Sequence, residues 1–282
     1  MRNSRVLAGL IGAGIQRSLA PLLHEEEAAR HGLRLHYQLI DVERAEALPT
    51  LLAAARMMGF AGLNITFPFK QAVLPLLDDL SEEARAIGAV NTVVRDGERL
   101  VGHNTDGAGW AWGLRRALPD ADLSRVALVG AGGAGAACAD AVLRLGAGAL
   151  AVVDRDAGRA AALARRMNAI HGERCVASAD AAGALREATG LIHATPTGME
   201  KFPGLPFPAS LLRKELWVSE VVYVPLETEL LAAARRAGCR LMDGGHMNVG
   251  QALLAFGLFT GREADPRRVE AHFRREIQAA PR

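Results

Sequence analysis

The sequence is poor in cysteine and has no long apolar run, and both deficits exclude classes of protein. Its three cysteines, Cys138, Cys175 and Cys239, lie far apart and form no CxxC pair. Disulfide frameworks and cysteine metal sites use closer, paired spacings, so we expect small buried hydrophobic side chains in a reducing compartment. No apolar run approaches the length of about 20 residues that a membrane-spanning helix needs, so no membrane partner is expected.

An excess of charge is lacking as well. The 33 basic and 31 acidic residues leave a net charge of +2, and no basic surface for nucleic acid is expected. The eight histidines show no HxxH or HExxH spacing, so no metal is predicted. Arginines at positions 2 and 5 are followed by no cleavage site of small residues, which favours a cytoplasmic protein without a signal peptide. The oligomeric state is open between monomer and homodimer.

The most informative stretch lies between residues 125 and 156. An apolar run at 126–129 is followed by a glycine cluster, an alanine-rich helical pattern and a second apolar run that ends at Asp154. This order predicts a strand, a tight turn, a helix and a strand that bind the pyrophosphate of a dinucleotide at the helix N-terminus. The alternative is an ordinary glycine-rich turn without a ligand. The predicted cofactor-binding glycines are Gly130, Gly132, Gly133 and Gly135.

Asp154 indicates which dinucleotide is bound. A carboxylate after the second strand accepts hydrogen bonds from a free ribose 2′-hydroxyl and repels a 2′-phosphate, so NAD is the predicted cofactor. The next residue, Arg155, keeps NADP open, since its guanidinium is able to bind that phosphate.

Strand and helix patterns alternate along most of the chain, which predicts an α/β protein of two domains. We expect an N-terminal α/β substrate domain, residues 1–104 plus 248–282. A Rossmann-type doubly wound dinucleotide-binding domain is expected at 105–247, with the predicted helix 105–118 bridging the two. Local patterns further predict helices at 45–58 and 72–77, and a hairpin around Asp96 and Gly97.

Eight motifs resemble the shikimate and quinate dehydrogenase family, in the family's order between Gly9 and Gly261. They are GLIGAGIQRSLAP, GLNITFPFKQ, GAVNTVV, GHNTD, GAGGAG, ATPTGM, VVYVPLETELL and DGGHMNVGQALLAFGLFTG. The resemblance implies a reversible NAD-dependent oxidation of the 3-hydroxyl of shikimate, and possibly of quinate, in a cleft between the two domains.

The resemblance implies that Lys70 and Asp106 are the catalytic pair at the reacting hydroxyl. A proton must leave that oxygen as hydride leaves the carbon, and charge on the oxygen must be stabilised. A lysine acts there as a base where burial lowers its pKa and otherwise as a charged donor, the role that a neighbouring aspartate favours. The alternative for such a pair is a structural ion pair.

The resemblance also implies the binding residues. Amide and hydroxyl side chains suit ring hydroxyls because they both donate and accept hydrogen bonds. Without the motifs, the asparagines would be interpreted as loop residues and Met247 as a core methionine. The implied substrate residues are Ser18, Asn64, Thr66, Asn91, Tyr223 and Gln251; beside the glycines, the cofactor residues are Asp154, Arg155, Thr195, Val221, Gly244 and Met247.

The chain departs from the family pattern near the substrate carboxylate. Ser18 matches one of two hydroxyl residues that receive this carboxylate, but the second position is Ala20. The missing bond to a charged group is worth about 1.5 to 3 kcal/mol unless Gln16 or Arg17 replaces it. Phe67 and Phe69, where some members have polar residues, predict a more apolar pocket edge.

Two further positions depart from the family pattern. His193 stands where the family usually has Asn, and Glu220 where it usually has Asp. Neither changes the predicted reaction class. Two other functions remain open at this point: a dehydrogenase of an amino- or otherwise substituted shikimate analogue, and a non-catalytic NAD-sensing protein.

Overall fold

The structure is a computed structural model that describes residues 5–279; the arginine at position 2 lies outside them. The chain forms two compact units. The first contains the chain up to Thr105 and again from Gln251 onward, and the second runs from Asp106 to Gly250. The sequence pattern had placed these boundaries at 104/105 and 247/248.

Strands and helices alternate in the first unit, as expected for an α/β fold. Its elements before Thr105 are β1 (Arg5–Gly12), α1 (Ala20–Arg30), β2 (Arg34–Asp41), α2 (Leu48–Met58), β3 (Gly62–Ile65), β4 (Asp79–Leu80), α3 (Glu82–Ile87), β5 (Thr92–Asp96) and β6 (Arg99–His103).

The second unit repeats the alternation. Its elements are α4 (Asp106–Ala117), β7 (Arg125–Val129), α5 (Gly133–Arg144), β8 (Ala149–Val153), α6 (Ala157–His171), β9 (Cys175–Ala177), α7 (Ala181–Glu187), β10 (Gly190–His193), β11 (Trp217–Glu220), α8 (Glu229–Arg236) and β12 (Arg240–Met242). Two helices follow: α9 (Gly244–Thr260), which contains the second boundary, and α10 (Pro266–Ala279) in the first unit.

The first unit has a mixed sheet of order β2-β1-β3-β5-β6-β4. β1 pairs in parallel with β2 and β3, whereas β5 runs antiparallel to β3 and β6. β5 and β6 form the predicted hairpin, in which Gly97 takes a φ of +58° that favours glycine. One face of the sheet buries an apolar core that includes Ile11, Leu63, Ile65 and Phe69.

The second unit has a parallel sheet of order β12-β11-β10-β7-β8-β9. This is the order of a doubly wound dinucleotide-binding fold, in which ligands bind at the carboxyl ends of the strands where the order reverses. That reversal lies between β7 and β10, so the predicted fold class is confirmed. No helix within residues 5–279 is both long and apolar enough to cross a bilayer.

Some local predictions are wrong. Residues 72–77 form turns and a short 3₁₀ segment, Leu74–Leu76, because Pro75 lacks the N–H that a helix started at residue 72 needs there. The helix expected at 45–58 is a 3₁₀ turn, Ala45–Ala47, followed by α2. No sequence pattern predicts β4, β9 or α7, because these elements are too short for periodicity to show.

Candidate active site

Asn64 is held in one orientation by bonds at both ends of its amide. It lies in β3, whose four residues are all buried. The Tyr37 hydroxyl donates to Asn64 Oδ1 at 2.6 Å, and Asn64 Nδ2 donates to the Asn91 carbonyl at 3.2 Å and to Thr92 Oγ1 at 2.9 Å. Oδ1 is thereby identified as the acceptor end, and it has lone-pair capacity for a further donor. Sequence reasoning missed Tyr37, which lies 27 positions away.

Asn91 is fixed in the same network. It is 3% exposed, and its Oδ1 accepts from the Thr105 N–H at 2.8 Å and from Thr92 Oγ1 at 2.9 Å. Its Nδ2 donates to Thr105 Oγ1 at 2.9 Å. The Val90 N–H donates to the Lys70 carbonyl at 2.8 Å, so the backbone of the predicted catalytic lysine lies beside this network. The structure therefore brings Asn64, Asn91 and the Lys70 backbone together.

Thr66 follows β3 and lies against the end of β1. Its N–H donates to the Ile11 carbonyl at 2.9 Å, and a side chain at Gly12 would collide with its methyl group. The two phenylalanines that follow differ in role. Phe67 is 64% exposed, as an apolar pocket edge requires, but Phe69 is 2% exposed and belongs to the core. The prediction that both residues line a pocket edge is wrong for Phe69, because the turn in which its N–H donates to the Thr66 carbonyl places its side chain in the core.

The loop between β1 and α1 is held by Asp41, a residue that sequence reasoning missed. Its Oδ1 accepts from the Gly14 N–H at 2.7 Å, and its Oδ2 accepts from the Ile15 N–H at 3.2 Å and from Gln16 Nε2 at 3.1 Å. Gln16 is therefore engaged by Asp41, which weakens it as a replacement for the absent hydroxyl at position 20. The sequence signal that could have identified Asp41 is an acidic residue at the end of β2, one strand away from the loop.

Ser18 lies just before α1, and Ala20 is the first residue of that helix. The Ala20 N–H donates to Ser18 Oγ at 3.3 Å, so the hydroxyl faces the first turn. Helix N-termini favour anions because their first N–H groups have no partner within the helix. The surroundings of Ser18 thus suit a carboxylate. Gln251, the last predicted substrate residue of this unit, is a half-buried residue of α9.

In the second unit the glycine cluster follows β7 as predicted. Gly130 has a φ of +109°, and a side chain there would press on the Ala194 carbonyl and Thr195. A side chain at Gly135 would collide with the Gly130 carbonyl, so this glycine permits close packing of helix and strand. A side chain at Gly132 would meet nothing within 4 Å, which leaves the open approach that a pyrophosphate needs at Gly133, where α5 begins.

Asp154 lies directly after β8, next to the glycine loop. Its Oδ2 accepts from the Ala131 N–H at 2.7 Å and its Oδ1 from the Asp156 N–H at 2.9 Å. Two backbone bonds hold the carboxylate in place, and each oxygen keeps a lone pair for a ribose hydroxyl. Arg155 is exposed. The residues present therefore fit the adenosine half of NAD.

The ends of β10 and β11 lie side by side, with His193 opposite Glu220. The Val221 N–H donates to Glu220 Oε1 at 2.8 Å, and Tyr223 is half-buried in the same loop. A side chain at Gly244 would collide with the carbonyls of Val221 and Val222, so glycine is required for the chain to pass there. Met247 is 5% exposed within α9. Thr195, Val221 and Gly244 thus lie at the carboxyl edge of the sheet.

Asp106 is the first residue of α4 and is 4% exposed. The Trp110 indole N–H, one turn later, donates to Ser219 Oγ at 2.9 Å and anchors this helix on β11. Asp106 falls in the second unit and Lys70 in the first. Across the described part of the chain, no group of three or more His, Cys, Asp or Glu side chains is arranged to hold a metal ion.

Comparison with known proteins finds the same resemblance along the chain. Residues 10–93 match the family model described as shikimate dehydrogenase substrate binding domain. The shikimate dehydrogenase (NADP(+)) of Streptomyces avermitilis is 55% identical over 96% of this chain and 96% of that protein. The quinate/shikimate dehydrogenase (NAD(+)) of Corynebacterium efficiens is 48% identical over 97% of this chain and 99% of that protein.

A solved structure is similar in fold over the same length. The quinate dehydrogenase of Corynebacterium glutamicum in complex with NAD is 47% identical and has a TM-score of 0.90. The match covers 97% of this chain and 100% of that one. Relatives named for NAD and for NADP therefore occur among similar proteins.

Proposed function

The chain belongs to the shikimate and quinate dehydrogenase family, and from that premise we propose that it catalyses the reversible NAD-dependent oxidation of the 3-hydroxyl of shikimate, and of quinate as a second substrate. The observation that carries this proposal is the fixed amide network of Asn64 and Asn91 in a chain similar over nearly its whole length to enzymes named for both substrates. The product is the corresponding 3-dehydro compound.

The two units divide the work in this proposal. The first, which contains the match to a substrate-binding domain, binds the polyol carboxylate, and the second binds the dinucleotide. Ser18 and the first turn of α1 receive the carboxylate. Asn64 Oδ1 accepts a hydrogen bond from a ring hydroxyl, because its Nδ2 already donates to two protein oxygens. Asn91, Thr66 and Gln251 contact the other ring hydroxyls.

Lys70 and Asp106 act on the hydroxyl that reacts. During oxidation the hydroxyl proton must leave as the carbon loses hydride, and Lys70 is the group proposed to take it, or to hold the oxygen's developing charge as an ammonium. Where Lys70 takes the proton, Asp106 stabilises the charge that develops on Lys70; where Lys70 is an ammonium, Asp106 accepts the hydroxyl proton. Tyr223 keeps the substrate role that the resemblance implies.

The proposed cofactor is NAD, with NADP as the weaker alternative. Bound NAD supplies the acceptor for the hydride. Asp154 contacts the adenosine ribose, the N-terminus of α5 receives the pyrophosphate, and Thr195, Val221, Gly244 and Met247 line the nicotinamide end. Arg155 is the residue through which NADP would be accepted.

The proposal also covers the cellular compartment, the partners and the oligomeric state of the enzyme. The proposed compartment is the reducing cytoplasm, which the wide spacing of the three cysteines in the sequence favours. The reaction needs a small-molecule substrate and neither nucleic acid nor membrane, and it is compatible with a monomer or a homodimer.

A substrate panel tests the proposal. We expect reduction of NAD with shikimate and, more slowly, with quinate, and a lower kcat/KM when NADP replaces NAD. An amino analogue of shikimate is included under identical conditions. If only the analogue were oxidised, the analogue would be the substrate instead of shikimate. If NAD bound but no compound were oxidised, the protein would be an NAD sensor and not an enzyme.

A further inference from the structure

A buried histidine and a buried glutamate form a pair at the carboxyl edge of the second sheet. His193 ends β10, Glu220 ends β11, and both side chains are 0% exposed. His193 Nδ1 lies 2.9 Å from Glu220 Oε1 and 3.1 Å from Oε2. None of the roles proposed above uses either side chain. Their position is nevertheless the edge at which a doubly wound sheet binds its dinucleotide.

The surroundings of Glu220 show which end of the imidazole carries a proton. Oε1 accepts from the Val221 N–H at 2.8 Å and from the Val222 N–H at 3.0 Å, and Oε2 accepts from the Thr228 hydroxyl at 3.0 Å. Both carboxylate oxygens therefore act as hydrogen-bond acceptors. His193 Nδ1 must then be the donor, because two acceptors facing each other in a buried site would be costly.

The other imidazole nitrogen contacts Thr195. Nε2 lies 2.5 Å from Thr195 Oγ1, which also accepts from the Thr197 N–H at 3.2 Å. With Nδ1 as the donor to Glu220, a neutral imidazole offers Nε2 as an acceptor, so the Thr195 proton points toward His193.

Thr195 is placed to meet a ligand. It is only partly buried, and its methyl group lies against Gly130 of the glycine loop, where a side chain would come within 2.9 Å of it. With its proton committed to His193, the hydroxyl keeps a lone pair for one further donor. The nicotinamide half of NAD carries such donors, the carboxamide N–H and the ribose hydroxyls.

We propose that Glu220 and His193 are positioning residues that orient the Thr195 hydroxyl as a hydrogen-bond acceptor for the nicotinamide riboside half of NAD. The inference rests on the proposed function, since it requires the dinucleotide at this edge. Glu220 determines the tautomer of His193, and His193 determines the direction of the Thr195 O–H bond. Thr195 is the residue that contacts the cofactor.

A double-mutant cycle on NAD affinity tests the proposal. In His193→Asn the amide replaces Nδ1 opposite Glu220, but no atom replaces Nε2, so the contact with Thr195 is lost while Glu220 keeps its donor. Thr195→Val removes the hydroxyl at nearly constant shape. We expect each single variant to raise the Kd for NAD about fivefold, the loss of one neutral hydrogen bond. The double variant should be no weaker than Thr195→Val alone.

A second buried pair in the same unit provides a matched control. His171 Nε2 lies 2.8 Å from Asp140 Oδ1, and these side chains are 9% and 4% exposed. They join α6 to α5 rather than the strand ends. His171→Asn should lower the melting temperature without changing the Kd for NAD. Any one of three results would overturn the proposal. These are additive losses of NAD affinity in the cycle, an unchanged Kd for NAD in His193→Asn, and a loss of NAD affinity in His171→Asn equal to that in His193→Asn.

A cofactor analogue identifies the donor. The 3-acetylpyridine analogue of NAD lacks the carboxamide N–H but keeps the ribose. A smaller effect of Thr195→Val on this analogue assigns the carboxamide as the donor, and an equal effect assigns the ribose. Because affinity is measured by titration without substrate, failure of the cycle is distinguishable from failure of the proposed function, which appears as NAD binding without turnover.

Discussion

At the scale of single residues, Lys70 is the side chain whose removal should lower the rate of the proposed reaction most. We expect Lys70→Ala to lower kcat by about 10²- to 10⁴-fold, the usual contribution of a positioned acid or base, and to leave the Kd for NAD within about twofold. Steady-state kinetics and NAD titration measure the two effects. Lys214→Ala, at a position 79% exposed, is the control. Unchanged turnover in Lys70→Ala would contradict the catalytic role.

Asp154 should determine the choice between NAD and NADP. Asp154→Ala removes charge-assisted bonds to the ribose, so the Kd for NAD should rise about ten- to a hundredfold, whereas that for NADP should change less or fall. Asp154→Asn removes the charge and keeps an oxygen acceptor for one of the two backbone bonds. Asp180→Ala, at the N-cap of α7, controls for loss of a capping acid. Equal effects on both cofactors would mean that Asp154 does not meet the ribose.

Position 20 offers a gain-of-function test. A serine at the start of α1 would add a hydroxyl next to Ser18, whose Oγ faces the Ala20 N–H. We expect Ala20→Ser to lower the KM for shikimate by about tenfold, as a bond to a carboxylate would, without changing the KM for NAD. Leu22→Ser, at a position 45% exposed in the same helix, is the control. An unchanged KM would show that another group already binds the carboxylate.

At the scale of elements, α1 is anchored by an uncharged histidine. His24 is buried and stacks on Tyr37, with ring centroids 4.7 Å apart, and within residues 5–279 neither ring nitrogen has a hydrogen-bond partner. Tyr37 in turn holds Asn64. The packing of this helix is therefore linked to the orientation of a predicted substrate residue.

Burial lowers the pKa of His24 from 6.5 to about 4. A histidine with a folded-state pKa below its unfolded value stabilises the fold fully above pH 6.5, and this stability is lost as the pH falls from 6.5 toward 4. His24→Phe keeps the stacking and cannot be protonated. We expect its free energy of unfolding to fall less than that of the wild type between pH 7 and 5, measured by urea titration with circular dichroism. The control is His36→Gln, at a position 68% exposed, whose free energy of unfolding should change with pH as that of the wild type does. If His24→Phe also showed the wild-type pH dependence, His24 would be charged in the fold and the prediction would be wrong.

At the scale of the whole molecule, the second unit can be observed by itself. The three tryptophans, at positions 110, 112 and 217, all belong to the second unit. Trp110 and Trp217 are buried, so tryptophan fluorescence reports unfolding of the unit proposed to bind NAD.

NAD should stabilise that unit by mass action. At a free concentration of 100 times its Kd, NAD raises the free energy of unfolding by about 2.7 kcal/mol, which should appear as a higher midpoint in tryptophan fluorescence. The same NAD concentration should shift Asp154→Ala less, because its Kd is higher. A fluorescence midpoint that NAD leaves unchanged in the wild type would argue against binding by the second unit.

The sequence by itself determined the α/β class, the glycine loop with Asp154 after it, and most element positions, because apolar periodicity and turn residues act over a few neighbouring positions. Tertiary structure decided how the site residues are held. Tyr37 reaches Asn64 over 27 positions, Asp41 reaches Gln16 over 25, and His193 meets Glu220 over 27. Such contacts depend on which strands become neighbours. The burial of Phe69 and the exposure of Phe67 were decided in the same way, by the path of the chain after β3, which no local pattern encodes.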